Sequence, residues 1–296
     1  MKHGLVDKHG IVYGVVWAML MNLTSSINDV IARFLGDRLH FVEIAFFRFL
    51  FSTIVILIPI LCTNKRCSLF KSVYHKEHLW RGILGCLAIG LCCFSVNNIP
   101  LAENTTILFA DTLFMIPLAA IFLHEKIGLK SVIATMIGMT GLIIMYRPSA
   151  DNINLHALAP TIAAFLFAVM NIIIKKMVDN QENNLTMLFY FGLYTTIMSS
   201  IFVPFYWEIP SFHELLLLFI LGICSNLIQL FLFLAFRATL ATYITPLRYT
   251  ELPFSVLLGY LFFTQIPDST TIMGSILIVI GTFIVSTFSK ESGGRK

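Results

Sequence analysis

An all-α membrane protein, with ten transmembrane helices arranged as two inverted five-helix repeats, is the fold class that three observations predict. The first is composition. Of 296 residues, 57% are hydrophobic and 12% are charged, and mean hydropathy is +0.85, whereas soluble domains carry near 25% charge. The second is the recurrence of apolar segments about as long as a hydrocarbon core of roughly 30 Å requires. The third is that the chain repeats itself, with an odd number of spans in each copy.

The spans read, in order, as 11–33, 41–62, 80–97, 104–123, 130–146, 155–176, 185–206, 214–236, 240–263 and 270–288. Lys2 and Lys8 precede the first apolar run, which ends without a small-residue cleavage site, so it reads as a retained span rather than a signal peptide. With the N-terminus inside, fifteen of the twenty lysines and arginines fall in inner segments, Lys65, Arg66, Lys71, Lys76 and Arg81 among them. Three fall outside (Arg33, Arg38 and Arg147), and Arg48 and Arg248 lie within spans. This bias predicts cytoplasmic N- and C-termini and a multi-pass protein of the cell inner membrane. The net charge of +4 is then a topology signal, and no nucleic-acid partner is needed to explain it. Trp80, Tyr206 and Trp207 fall at predicted boundaries, as an interfacial aromatic belt requires.

Shifting the sequence by 140 residues places Asp111 on Glu251, Glu125 on Gln265 and Gly141 on Gly281. A shift of 143 places Asn28 on Asn171 and Arg33 on Lys176. The halves 1–150 and 151–296 therefore read as one five-helix unit used twice, the second copy upside down. Inverted repeats mark secondary transporters, with the site at the repeat interface near mid-membrane.

Charge inside a bilayer costs roughly 2.5–3.5 kcal/mol per group at the centre of a helix, so each such residue asks for a partner or a polar cavity. The stretch Ser25–Phe51 holds Asp29, Arg33, Glu43 and Arg48. Asp29 and Arg33 share a helix face at i, i+4, beside Asn28; Glu43 starts its span at the outer boundary, where water would solvate it. Arg248 and Glu251, flanking Tyr249, are i, i+3 neighbours. They read either as a buried ion pair or as a cation and an anion for a zwitterionic substrate. Asp111 has no basic neighbour within a turn and reads as an unpaired acid. Asn171, Asn226, Gln229, Asn97 and Asn98 read as helix–helix hydrogen-bonding groups or cavity groups, with Asn226 and Gln229 on one face (i, i+3). His75 and His78 read as solvated loop residues.

Six cysteines show neither CxxC nor zinc spacing, so no metal is expected. No Ser-His-Asp arrangement and no glycine-rich phosphate loop occurs; no enzyme, no cofactor and no ATP-driven pump is predicted.

Glu125-Lys126 closing the fourth span, Gly141 in the fifth, Arg48 within FFRFL, and Pro253, Gly274 and Gly281 in the second copy carry a resemblance to the drug/metabolite transporter superfamily, EamA-type. The second copy departs from the pattern with Gln265 for the acid and Phe191 for the arginine. SSINDVI followed by LGDRLHFVEIAFFRF is similar to the first two helices of the S-adenosylmethionine uptake transporters of obligate intracellular bacteria. That resemblance implies S-adenosylmethionine uptake by alternating access, in exchange for S-adenosylhomocysteine; the wider one implies an exporter of amino acids or other small amphiphilic metabolites. The implied ligand places its carboxylate on Arg248, with Arg48 as the alternative, and its ammonium on Glu251. The sulfonium goes to Asp111 with aromatic neighbours, and an adenine edge to Asn226 and Gln229. Asp29, Asn28, Asn171 and Tyr249 complete the candidate set. The expected partners are this small molecule and the lipid bilayer, for a monomer or homodimer.

Overall fold

The computed structural model of the chain describes residues 8–36, 38–62, 70–96, 107–125, 127–146, 158–264, 266 and 269–288. Ten helical segments follow one another, and no strand occurs among the described residues. They are α1 (Lys8–Gly36), α2 (Phe41–Cys62), α3 (His75–Val96), α4 (Asp111–Phe122) and α5 (Leu129–Tyr146) in the first half. The second half holds α6 (Leu158–Asp179), α7 (Asn184–Ser200), α8 (Phe212–Ala238), a ninth segment in two helices, α9 (Ala241–Ile244) and α10 (Glu251–Phe263), and α11 (Ser269–Phe288). α1 from Gly10, α2, α6 and α8 are long and apolar enough to cross a membrane by themselves, with mean hydropathy from 1.4 to 2.4. Outward-facing rows such as Val12, Val16 and Leu20, or Ile54, Ile58 and Leu61, expose apolar side chains, as contact with lipid requires.

The repeat is visible in where helices begin. Asp111 and Glu251 start α4 and α10, Leu129 and Ser269 start α5 and α11, and Phe41 and Asn184 start α2 and α7, in keeping with the sequence offsets of 140 and 143. Packing obeys the same exchange. α1 lies on α8 as α6 lies on α3; α8 lies on α2 as α3 lies on α7; α4 lies on α6 as α10 lies on α1. The remaining large contacts, α2 with α7 and α5 with α11, join each helix to its own mate. Among the described residues the principal contacts therefore run between the halves.

Between lipid-exposed helices no hydrophobic gradient drives association, so close approach of small residues matters more. A Cβ added at Gly141 would lie 2.7 Å from the Gly274 carbonyl oxygen, and one at Gly281 would lie 3.1 Å from that of Ala134. Gly141 and Gly281 are repeat mates, as are Ala134 and Gly274, so one contact occurs twice across the α5–α11 seam.

Two spans expected to be continuous are broken, each just before its acid. Ala110 and Leu113 take i→i−3 backbone bonds where α4 begins, and residues 104–106 of the fourth predicted span lie outside the described residues. In the ninth span a six-residue 3₁₀ stretch, Thr245–Thr250, separates α9 from α10, with Pro246 near its start. Proline removes an N–H that a straight helix would use. Neighbours take up the freed groups: Asn22 on α1 donates to the Leu247 carbonyl and to the Thr250 hydroxyl, both at 2.7 Å. Glu125 accepts from the backbone N–H groups of Ala241 (2.9 Å) and Thr242 (3.0 Å), capping the start of α9. Its expected repeat mate Gln265, and Lys126 beside it, lie outside the described residues.

Other boundaries shift because packing, which hydropathy cannot register, extends or stops a helix. α3 begins at His75 rather than near 80, and this carries His78 and Arg81 into the bundle. His78 is fully buried and stacks on Tyr190 at 4.8 Å, so it is not a solvated loop residue. Arg81 and Lys175, two of the fifteen lysines and arginines assigned to inner segments, are also buried; Lys175 donates to Asp179 (2.6 Å) and to the Phe236 carbonyl (2.7 Å). Glu43 is buried rather than solvated and accepts a 3.4 Å hydrogen bond from the Glu208 N–H. α7 stops at Ser200, and a 3₁₀ turn at Val203–Phe205 replaces the expected end of its span.

Candidate functional site

The two broken segments place their acids at one central cavity of about 240 Å³. From the first half it is lined by Ser25 of α1, Arg48 of α2, and Asp111 and Met115 of α4. From the second half come Phe167 and Asn171 of α6, Gln229 and Leu232 of α8, and Arg248 with Glu251 at the ninth-span break. The site thus belongs to neither repeat alone.

Asp111 forms an ion pair with Nη1 of Arg248. This corrects the sequence reading, in which Asp111 was unpaired and Arg248 answered to Glu251. The i, i+3 spacing assumed a straight α-helix, and the 3₁₀ stretch turns Arg248 toward α4 instead. The Asp111 side chain is 2% exposed and that of Arg248 34%, so the guanidinium is the member that faces the cavity. One carboxylate oxygen of Asp111, Oδ1, has no donor. The ring of Phe109 lies 5.7 Å below the guanidinium.

Glu251 accepts a 2.6 Å hydrogen bond from the Ser25 hydroxyl and stays within electrostatic range of Arg248. Arg48 donates through Nε to the Ser225 hydroxyl, with its guanidinium 5.6 Å from the Phe49 ring. Asp29 sits on an accessible face of α1 and does not line the cavity, although its carboxylate is within electrostatic range of Glu251 and Arg48. Arg33, its expected i, i+4 partner, lies 4.5 Å over the Phe263 ring.

The structure separates the other candidates. Asn171 and Gln229 line the cavity; Asn28, Asn226 and Tyr249 do not. Asn226 is tied to α2, accepting from the Ser52 hydroxyl (2.7 Å) and donating to the Ser52 carbonyl (2.9 Å). The expected Asn226–Gln229 pair is therefore divided between a helix–helix seam and the cavity. Tyr249 is 1% exposed, bonds through its hydroxyl to Thr112, and lies against Gly138, where any Cβ would meet its ring at 2.3 Å. Asn97 and Asn98 lie outside the described residues. Sequence reasoning missed Ser25 and Thr112, hydroxyls with no signal of their own, and Arg81, which sat beside a basic loop.

A groove of about 490 Å³ runs between α2, α3 and α7, but no carboxylate or guanidinium of the described residues lines it. It offers little with which to recognise a charged molecule. No group of three or more histidine, cysteine or acidic side chains able to hold a metal occurs among the described residues.

Comparison with known proteins agrees with this architecture. The chain is 37% identical over 283 residues to the S-adenosylmethionine uptake transporter of Rickettsia conorii, covering 96% of this chain and 95% of the relative. It is 28% identical to the riboflavin transporter of Rhizobium johnstonii, covering 95% and 93%. A solved crystal structure of a protein matches with a TM-score of 0.78 at 16% identity, covering 95% of this chain and 98% of that one; this likeness concerns the fold. The EamA-like transporter family model matches twice, over residues 12–147 and 156–287, and the chain belongs to that family.

Proposed function

We propose that this protein is a secondary transporter of S-adenosylmethionine that exchanges it for S-adenosylhomocysteine, the repeats 1–150 and 151–296 tilting against each other around the central cavity. The observation that carries the reading is the Asp111–Arg248 pair, one member from each half, beside Glu251 in a cavity that both halves line. The substrate named for the Rickettsia conorii relative supports the choice. S-Adenosylmethionine brings a carboxylate, an ammonium and a sulfonium. On entry the substrate carboxylate replaces Asp111 as the partner of Arg248, with Arg48 the alternative, and the freed Asp111 faces the sulfonium beside Phe167. Glu251 takes the ammonium, Asn171 adds a neutral polar contact, and Asp29 at the rim biases the approach toward cations. With S-adenosylmethionine bound, the protein ion pair gives way to three protein–ligand pairs, so Arg248, Asp111 and Glu251 each face an opposite charge in the low dielectric. Driving force comes from the counter-substrate, which shares the zwitterion and adenine and lacks the sulfonium.

The lysine and arginine bias supports cytoplasmic termini in an inner membrane. The reading needs no cofactor and no chemical change of the substrate. The test is uptake of labelled S-adenosylmethionine by liposomes holding the purified protein, preloaded or not with S-adenosylhomocysteine. Intact label accumulating faster into preloaded vesicles is the expected result. Competition by amino acids but by no adenosine compound would transfer the protein to the second reading, an amino-acid or metabolite exporter.

A further inference from the structure

Arg81 is the largest fully buried side chain of the described residues. Its guanidinium is held between the rings of Phe191 (4.8 Å) and Phe233 (5.5 Å). Nη1 donates to the Met187 carbonyl at 3.4 Å and Nη2 to Oε1 of Gln229 at 3.3 Å, while Nε finds no acceptor. No carboxylate lies within ion-pair distance of it among the described residues. Burying a cation without a counter-ion costs several kcal/mol even after relaxation, and a merely structural contact would be made more cheaply by an apolar side chain.

The consequence falls on Gln229, which lines the cavity. A guanidinium carries donors and no acceptor, so Gln229 must turn its carbonyl oxygen toward Arg81. That leaves the amide NH₂ to face the cavity. A hydrogen bond from a cation further polarises the amide in a low dielectric. We propose that Arg81 is a specificity-determining positioning residue, which fixes Gln229 as an N–H donor aimed into the cavity, where it reads a hydrogen-bond acceptor on the substrate. Resting on the proposed substrate, that acceptor is a ring nitrogen of the adenine. With Asn226 engaged by Ser52, Gln229 performs this reading without its i−3 neighbour.

The test is competition, on the reconstituted full-length protein, between labelled S-adenosylmethionine and S-adenosylhomocysteine or its 1-deaza, 3-deaza and 7-deaza analogues. One analogue should compete about three- to tenfold less well than the parent, the effect of one hydrogen bond. Arg81→Met frees the amide to rotate and should erase this discrimination, whereas Arg81→Lys, which still donates to Gln229, should keep part of it. Gln229→Glu gives Arg81 a counter-ion and offers the cavity no donor. It should fold and lose the discrimination, so it decides the question should Arg81→Met fail to fold. Equal competition by all three analogues on the unaltered protein, or discrimination that persists in Gln229→Glu, overturns the assignment. Failure of every adenosine compound to compete overturns the substrate reading itself, together with the purine named here.

Discussion

The fourth and ninth spans are repeat mates that break at the same place and then use the break differently. Both interrupt the helix just before an acid, Asp111 or Glu251, so that each carboxylate sits at a helix start in mid-bundle. There the partial positive charge of the helix end favours an anion. Beyond that the symmetry fails. Asp111 is buried and answers to an arginine from the other half; Glu251 is half-buried and answers to a neutral hydroxyl, that of Ser25. The residue one repeat away from Arg248 is Leu108, which cannot return the favour. The duplicated fold supplies two equivalent acids, and a single cation makes them inequivalent: one held in an ion pair, one bonded to a hydroxyl.

Removing the cation should have the largest effect. Arg248→Ala strands the Asp111 carboxylate in the interior, and breaking a buried pair by deleting one partner costs about 3 kcal/mol or more. Transport should fall at least a hundredfold, and thermal unfolding in detergent should come earlier. Asp111→Ala added to Arg248→Ala should restore the melting temperature and leave transport absent. If the double variant melts no higher than the single one, the pair does not hold the halves together.

The symmetric seam gives the next largest effect. Gly141→Val drives a branched side chain into the Gly274 carbonyl, and overpacking of this kind costs typically 1–3 kcal/mol. Gly281→Ala, at the looser of the two mated contacts, should cost less. Equal losses in the melting temperature of the two variants would show that the seam does not read out the distance difference.

Asp111→Asn probes the assignment of the two acids. It should weaken S-adenosylmethionine by about 1.5–3 kcal/mol, the range of a hydrogen bond to a charged group, and weaken S-adenosylhomocysteine less, because only the former carries the sulfonium. Equal binding constants for the variant and the unaltered protein, for both compounds, would remove Asp111 from the site.

Much of this was legible in the sequence, for physical reasons that also mark the limit. Ten spans and an inverted repeat follow from hydropathy and from matched polar residues, because lipid imposes helix length and duplication preserves offsets. Asp111, Arg248, Glu251, Arg48, Asn171 and Gln229 stand out because polar groups in apolar runs are costly, and the structure brings these six to one cavity. Partnership was not legible. Which acid Arg248 meets depends on a 3₁₀ stretch that a helical-wheel argument assumes away. Whether Asn226 faces a neighbour or the cavity depends on Ser52, 174 residues distant. Arg81 was hidden because a cation beside a basic loop looks like part of the loop.

The smallest expected effect tests the other side of the comparison. Ser25→Ala removes the hydroxyl that donates to the Glu251 carboxylate and leaves its charge in place. The net worth of such a hydrogen bond is about 0.5–1.5 kcal/mol, and with the cavity adjacent, water can replace part of it, so the loss should lie near the lower figure. Glu251 is assigned to the ammonium, which S-adenosylmethionine and S-adenosylhomocysteine share. Ser25→Ala should therefore weaken both compounds about two- to threefold and leave their ratio unchanged, in contrast to Asp111→Asn, which shifts the ratio. Both affinities can be read from competition curves on the same liposomes. A change in the ratio in Ser25→Ala would mean that Glu251 also senses the sulfonium, and the two acids would then share one cation rather than divide two.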